Sequence, residues 1–295
     1  MAASEAKDME VEAAIFKKLY PVDFLQRHLH QNVREDGRAF QEARPVSLAT
    51  GVLSQSNGSA LVRFGKGTMV FAAVHGQVTE PNHETPNEGM IVPSVDLSPL
   101  CSPNYRPGPP SDDAQALAHQ LQNLLDHAQA IDRASLCIEP GVAVWCLYVD
   151  VVVVSADGNV LDSAMFASVA ALAHCRLPEV VRCESASACV CDSKRTHALR
   201  LAYYPIVCSY GVYHSAYLLA DVSAFEESLL SAKFIVGVYD DSNTDSDVFY
   251  LRHMGNANCQ HPTLSKNHAF MEQCISQAQT HANVLRKLLH KSLHE

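Results

Sequence analysis

The chain has no stretch of eighteen uninterrupted apolar residues, so it offers no helix for crossing a membrane. It also lacks an excess of positive charge: 22 Lys and Arg stand against 32 Asp and Glu, for a net charge of −10. Coating nucleic acid requires a positive field, so the chain is not expected to cover RNA or DNA by itself. A small basic rim inside a larger assembly is compatible with the same numbers. The ten cysteines include no CxxC pair, and structural zinc usually takes two close ligand pairs. Cys183, Cys189 and Cys191 come nearest to a cluster, and His253, His261 and His268 are too widely spaced for a helical pair. Neither a metal nor a cofactor is expected. The opening MAASEAKDMEVEAAIF is acidic and has no apolar h-region, which argues against a secretory signal. The expectation is a nucleocytoplasmic protein with reduced thiols and no membrane partner.

No composition shift marks a second domain. With 47% hydrophobic residues among 295, there is enough apolar material for one large core. Residues 1–14 read as a solvated acidic tail, and Ala14 to His30 as short helical pieces interrupted by Pro21. Val46 and Leu48 alternate with Ser47 and Ala49 as a strand. Ala60–Phe64 and Thr68–Val74, joined by Gly65-Lys66-Gly67, read as a hairpin. Gln77 to Pro110 holds eight of the fourteen prolines and reads as a long loop, either functional or packed against a partner.

Leu117, Leu121, Leu124, Ala128 and Ile131 form one helical face behind Asp112 and Asp113. Val142–Val154 is a long apolar strand, expected at the centre of a sheet. Asp157-Gly158-Asn159 marks a tight turn. The segment DSAMFASVAALAHC is then a buried helix with Asp162 as its N-cap. Strand-like runs follow at Leu199–Tyr204, Tyr217–Ala220, Lys233–Tyr239 and Phe249–Leu251. The closing helix carries Ile275, Ala278, Ala282, Leu285 and Leu289 in one stripe. Helices are grouped rather than alternating one-for-one with strands, which predicts an α+β fold.

LLADVSAFEES (Leu218–Ser228) places Asp221, Glu226 and Glu227 just past an apolar run. Such acids form either a catalytic site or a turn facing water. On the second reading Asp221 bonds nearby backbone N–H groups, and Glu226 and Glu227 are a solvated face.

Four phrases occur in an order that resembles the RNase PH superfamily. They are NVREDGR (Asn32–Arg38), NGSALVRFGKGTMVFAAV, VDLSPLCSPNYRPGPPSDDAQ and IEPGVAVWCLYVDVVVVSADGNVLDSAMFASVAAL. Pro107-Gly108-Pro109-Pro110 and Asp157–Asp162 are most similar to its non-phosphorolytic exosome-ring branch, and Leu100-Cys101-Ser102 to one subunit of that ring. The likeness is dense from Asn32 to about Glu179 and looser beyond.

The resemblance implies an RNase PH-like fold of two βαβ-type halves, like the second domain of ribosomal protein S5. It would form a single domain over 31–295, with residues 1–30 as an N-terminal tail and helical extension. It also implies a six-membered ring of related subunits, with RNA-binding cap subunits, an associated nuclease, and single-stranded RNA passing through the pore. The implied location is the nucleus, including the nucleolus, and the cytoplasm.

Active members of the superfamily carry Gly-Thr-Arg after the central strand, where phosphate sits at a helix N-terminus. The matching positions are Asn159, Val160 and Leu161, followed by the anion Asp162. Those relatives also keep two aspartates six residues apart, for which Asp221 and Glu227 are the partial match. The expectation is a degenerate site without catalysis. Two alternatives stand beside it: a phosphate-dependent 3'-5' exoribonuclease using Asp221 and Glu227, and a metal- or thiol-dependent enzyme built on the Cys183–Cys191 region. For RNA contact, Arg34, Arg38, Arg63, Lys66, Tyr105 and Arg106 lie in or near candidate pore loops, with Tyr105-Arg106 the best stacking pair.

Overall fold

The computed structural model describes residues 2–103, 105–182, 189–214, 217–239, 248–255 and 264–294. Two N-terminal helices, α1 (Ala2–Leu19) and α2 (Pro21–His30), meet at Tyr20. Pro21 begins α2 because a first-turn residue needs no amide partner. The acidic tail expected over residues 1–14 is thus corrected to part of α1. Its Ala, Glu, Met and Lys residues are strong helix formers, and negative charge does not cancel that preference.

The first sheet combines β1 (Val46–Thr50), β2 (Gly58–Phe64), β3 (Thr68–Thr79), β4 (Met90–Leu97), β5 (Cys137–Glu139) and β6 (Ala143–Ser155). Its order is β1-β2-β3-β6-β4, with β5 paired to β6. Ala60, Val62 and Phe64 on β2 and Val70, Ala72 and Val74 on β3 are buried, as period-two alternation requires. Gly65, at φ +57, turns the hairpin. The long apolar β6 lies inside the sheet, antiparallel to β3 and parallel to β4.

The long loop expected from Gln77 to Pro110 is corrected at both ends of its first half. The strand β3 runs on to Thr79, and β4 is a strand with every second residue buried. Pro93 disguised it in sequence. On an edge strand, which has a ladder on one side only, a residue without an N–H is tolerated.

Helix α3 (Asp112–Ala128) packs on β4, and Ser111 caps it by accepting a bond from the Ala114 amide. Helix α4 (Val160–Ala173) packs on β2 and β3 and also touches β9 (Ile206–Tyr213) of the second sheet. That sandwiching explains why it is buried nearly all round. A hairpin follows, β7 (Arg176–Arg182) with β8 (Cys189–Ala198).

The second sheet has the order β10-β9-β11-β12, all antiparallel. It is built from β9 (Ile206–Tyr213), β10 (Tyr217–Ala220), β11 (Ala232–Val238) and β12 (Val248–Gly255). The strand expected at Leu199–Tyr204 is absent. Pro205 cannot donate to a ladder, so pairing resumes at Ile206. Helix α5 (Ala224–Glu227) is a single turn, and α6 (Leu264–His294) lies across β9, β11 and β1. Its Ala278, Ala282, Leu285 and Leu289 are buried, as the stripe requires, while Ile275 is half-buried.

One apolar cluster draws on both sheets and on α3, α4 and α6. A second joins Leu25 and Leu29 of α2 to Tyr213, Leu219 and Val222. Gly58 is where α4 approaches closest: a Cβ there would stand 2.3 Å from the Ala171 carbonyl oxygen. Gly58→Ala should therefore destabilise the fold by about 2–3 kcal/mol, the scale of overpacking, in a denaturant titration. An unchanged midpoint would mean that α4 sits farther from β2.

Candidate functional site

Three arginines from the segment between α2 and β1 converge on the residue that follows β10. Asp221 takes a left-handed conformation at φ +45 and is 3% exposed. Its Oδ2 accepts from the Arg44 backbone N–H and from Arg44 Nε, each at 2.8 Å. Its Oδ1 accepts from Arg44 Nη2 and from Asn159 Nδ2, also each at 2.8 Å. Its main-chain carbonyl accepts from Arg34 Nη2 at 3.0 Å and from both Arg38 Nη groups at 3.2 and 3.3 Å.

Arg44 reaches further, donating to the Asp157 carbonyl at 2.8 Å and to Thr68 Oγ1 at 3.3 Å. Arg34 forks onto the Glu226 carboxylate, with Nε at 2.9 Å from Oε1 and Nη2 on Oε2, and donates to the Ala220 carbonyl at 2.7 Å. Glu226 also closes a capping box with Ser223 at the start of α5.

The turn after β6 supplies the other wall. Gly158 at φ +72 and Asn159 at φ +52 are left-handed in succession. A Cβ on Gly158 would fall 2.5 Å from the Ala224 amide, so the β6–α4 turn and α5 approach each other here. Asn159 precedes α4 but makes no side-chain cap bond, because its amide is turned to Asp221.

Asp162 does not cap α4 as expected. It is the third residue of the helix, buried, and accepts from the Ser209 N–H and Oγ, each at 2.6 Å. It therefore ties α4 to β9.

Electrostatics separates the two aspartates. Burial alone would raise both carboxyls. At Asp221 the Arg44 hydrogen bonds and charge outweigh it, with help from Asn159, and the carboxyl falls to about 2. At Asp162 burial dominates over the Ser209 bonds, the Lys233 charge and Asn159, and the carboxyl rises to about 6.

The other sequence-flagged positions divide sharply. Arg34 and Arg38 are 1% and 8% exposed and consumed by carboxylates and carbonyls, so they are not RNA-contact residues. Glu226, expected on a solvated face, is 2% exposed because Arg34 holds it inside. The turn at Asp221 is real, but its partners are distant arginines and Asn159 rather than nearby amides. Glu227 sits at the rim, paired with Lys233 at 2.7 Å. Leu161 is buried and Val160 half-buried, so the apolar replacements feed the core. Arg63, Lys66 and Arg106 are exposed. Tyr105 is half-buried against the core, with its hydroxyl 3.4 Å from Asp113 Oδ2.

Cys183 and His261 lie outside the described residues. Among the described residues no three His, Cys, Asp or Glu side chains are grouped to hold a metal. Arg44 is the functional residue the sequence did not flag; lying just before Pro45 at a strand entry, it carries no pattern that betrays a partner 177 residues away.

Residues 42–178 match the model of the 3' exoribonuclease family, domain 1 (RNase PH). The exosome complex component rrp43 of Schizosaccharomyces pombe is 35% identical over 263 residues, covering 89% of this chain and 95% of that protein. The chain belongs to the RNase PH family. Exosome complex component Rrp42 of Sulfurisphaera tokodaii is 38% identical over 205 residues, covering 70% of this chain and 74% of that one. A structure described as the Archaeoglobus fulgidus exosome with RNA bound to the active site superimposes with a TM-score of 0.76. It shares 26% identity and covers 92% of this chain and 98% of its own. The RNase PH-like fold expected from the motifs is thereby shown.

In this member of the RNase PH family every arginine near Asp221 already has an anionic or carbonyl partner. The cluster is built to hold elements together. Asp221→Asn leaves buried guanidinium groups without their counter-charge, and should cost about 3–5 kcal/mol in equilibrium unfolding. A loss well under 1 kcal/mol would show that the cluster is not structural.

The aspartates also set opposite pH dependences. Asp221, depressed from 3.8 to about 2, contributes stability above pH 4 that is lost as pH falls through 2. Asp162, raised from 3.8 to about 6, is costly when ionised, so stability should rise as pH is lowered from 7 to 5. That gain should be about 1 kcal/mol larger in the native chain than in Asp162→Asn, measured by urea titration at both pH values. Equal gains in the two proteins would exclude a raised Asp162.

Proposed function

We propose that this chain is a non-catalytic structural subunit of the RNase PH-like ring of an RNA exosome, in which it supports 3'-to-5' RNA processing and degradation. The reading is carried by the state of the phosphate position. Where active relatives are expected to hold phosphate with Gly-Thr-Arg, this chain has Asn159, Val160 and Leu161, with the buried carboxylate of Asp162 beside them. Arg44, the cation beside Asn159, is committed to Asp221 and Asp157 rather than open to phosphate. The curated relatives are named exosome components, and the superimposed structure is an exosome with RNA in its active site.

On this reading residues 31–295 form the RNase PH-like domain and 1–30 an extension. The partners are related ring subunits, cap subunits and an associated nuclease, in the nucleus, nucleolus and cytoplasm. Tyr105, Arg106, Arg63 and Lys66 are the remaining candidates for touching single-stranded RNA. The surface favours assembly. On the outward face of the first sheet, Tyr148 stands between His75 and Val92, and Val152 between Phe71 and Asp96. Val92, Tyr148 and Val152 are exposed apolar groups in register on adjacent strands.

Purified protein incubated with 3'-labelled RNA and inorganic phosphate should release no nucleoside diphosphates. Phosphate-dependent release that disappears in Glu227→Gln would establish the active-enzyme reading instead. The double variant Tyr148→Glu, Val152→Asp should lower recovery of related ring subunits at least about tenfold in co-purification, since a buried unpaired charge is costly at an interface. Its own melting temperature should change little, because both side chains face outward. Undiminished recovery would remove this face from the assembly.

A further inference from the structure

A small cavity of about 30 Å³ lies where α4, β9 and α6 meet. Its walls include Asn159, Asp162, Ser209, Asp221, Gln277 and His281. Two wall atoms are unmatched: Asn159 Oδ1 and Gln277 Oε1 are both buried and have no hydrogen-bond partner in the protein. Asn159 is 1% exposed, and it has no relief in turning its amide over. Its Nδ2 donates to Asp221 Oδ1 at 2.8 Å, and reversal would set an acceptor against a carboxylate. Orphaned buried acceptors are rare in folded proteins and are commonly met by an ordered water.

We infer that this cavity is a hydration site, holding one water that donates one hydrogen to Asn159 Oδ1 and the other to Gln277 Oε1. The space suffices, since a single water needs about 10–15 Å³ by the same kind of measure. The chemistry of the walls excludes larger or charged occupants. Phosphate needs donors, whereas the unmatched wall atoms are acceptors and two carboxylates stand beside them. A cation has no bare anion to meet: Asp221 is matched by Arg44 and Arg38, and Asp162 already receives both Ser209 donors.

His281 completes the wall. Its Nδ1 lies 3.5 Å from Cys208 Sγ. Burial pushes that thiol well up, so it keeps its proton. The ring tautomer sets which of the two groups donates. The water is thus a joint between the start of α4 and the C-terminal helix α6, in the place where the resemblance puts phosphate in active relatives. The assignment stands on the cavity and its acceptors, whatever the assembly does.

The test is a water-resolving structure of the full chain, alone or in its complex, prepared in rubidium-containing buffer. The expected result is one peak at about 2.7–3.2 Å from both Asn159 Oδ1 and Gln277 Oε1, with no rubidium anomalous signal. An empty cavity, an anomalous peak, or a Gln277 amide turned so that Nε2 bonds Asn159 Oδ1 directly would each overturn the inference. In Gln277→Leu, which removes one acceptor and fills the space, the peak should vanish. Its persistence there would also overturn the inference. If that variant does not fold, the native map alone decides.

Discussion

The bond between Arg44 and Asp221 is the constraint on which the rest of the site depends. Arg44 stands at the entry to the first sheet, and Asp221 at the exit of an edge strand in the second. Through Asp157 and Asn159 the same pair reaches the end of the central strand β6 and the start of α4. Three parts of the chain, distant in sequence, are thereby fixed at one point. Buried ion pairs are weak evidence of net stability, because desolvation offsets most of the Coulombic gain. Their use here is geometric. Asp221 is held left-handed and Asn159 likewise, and neither conformation persists without partners that over-determine it.

That anchoring has a chemical consequence. An arginine that stabilises a buried carboxylate with two donor directions has no fork left for a phosphate. Arg34 and Arg38 are committed in the same way, to Glu226 and to the Asp221 carbonyl. The local positive charge is real, yet it is spent inside the protein. With a net charge of −10, the chain has little field of its own to draw RNA, so attraction on the proposed reading comes from the assembled ring. The free cations Arg63, Lys66 and Arg106 are surface residues on the hairpin and the proline-rich segment rather than parts of the cluster.

Much of the fold was legible because its signals are local. The β2–β3 hairpin, β6, α3 and the stripe of α6 follow from period-two and period-three-to-four spacing of apolar residues. What failed to show was whatever depends on the far side of a contact. β4 alternates cleanly, but Pro93 in its middle argues for a loop until the strand is known to be an edge. Asp162 looks like a cap by position, and only the approach of Ser209 on β9 gives it a different task. Arg34 and Arg38, in a polar turn-rich stretch, look solvated until Asp221 and Glu226 arrive from nearly two hundred residues away.

The same asymmetry governs the β6–α4 turn. On the proposed reading, Asn159, Val160 and Leu161 stand where active relatives bind phosphate, one position at a time. What those residues do in this fold is visible only in three dimensions. Leu161 joins the core, Asn159 bridges to Asp221, and Asp162 locks α4 to β9. Gly158 and Asn159 hold successive left-handed conformations. The turn delivers the Asn159 amide to Asp221 and brings Gly158 against α5, so its geometry is required by the fold itself.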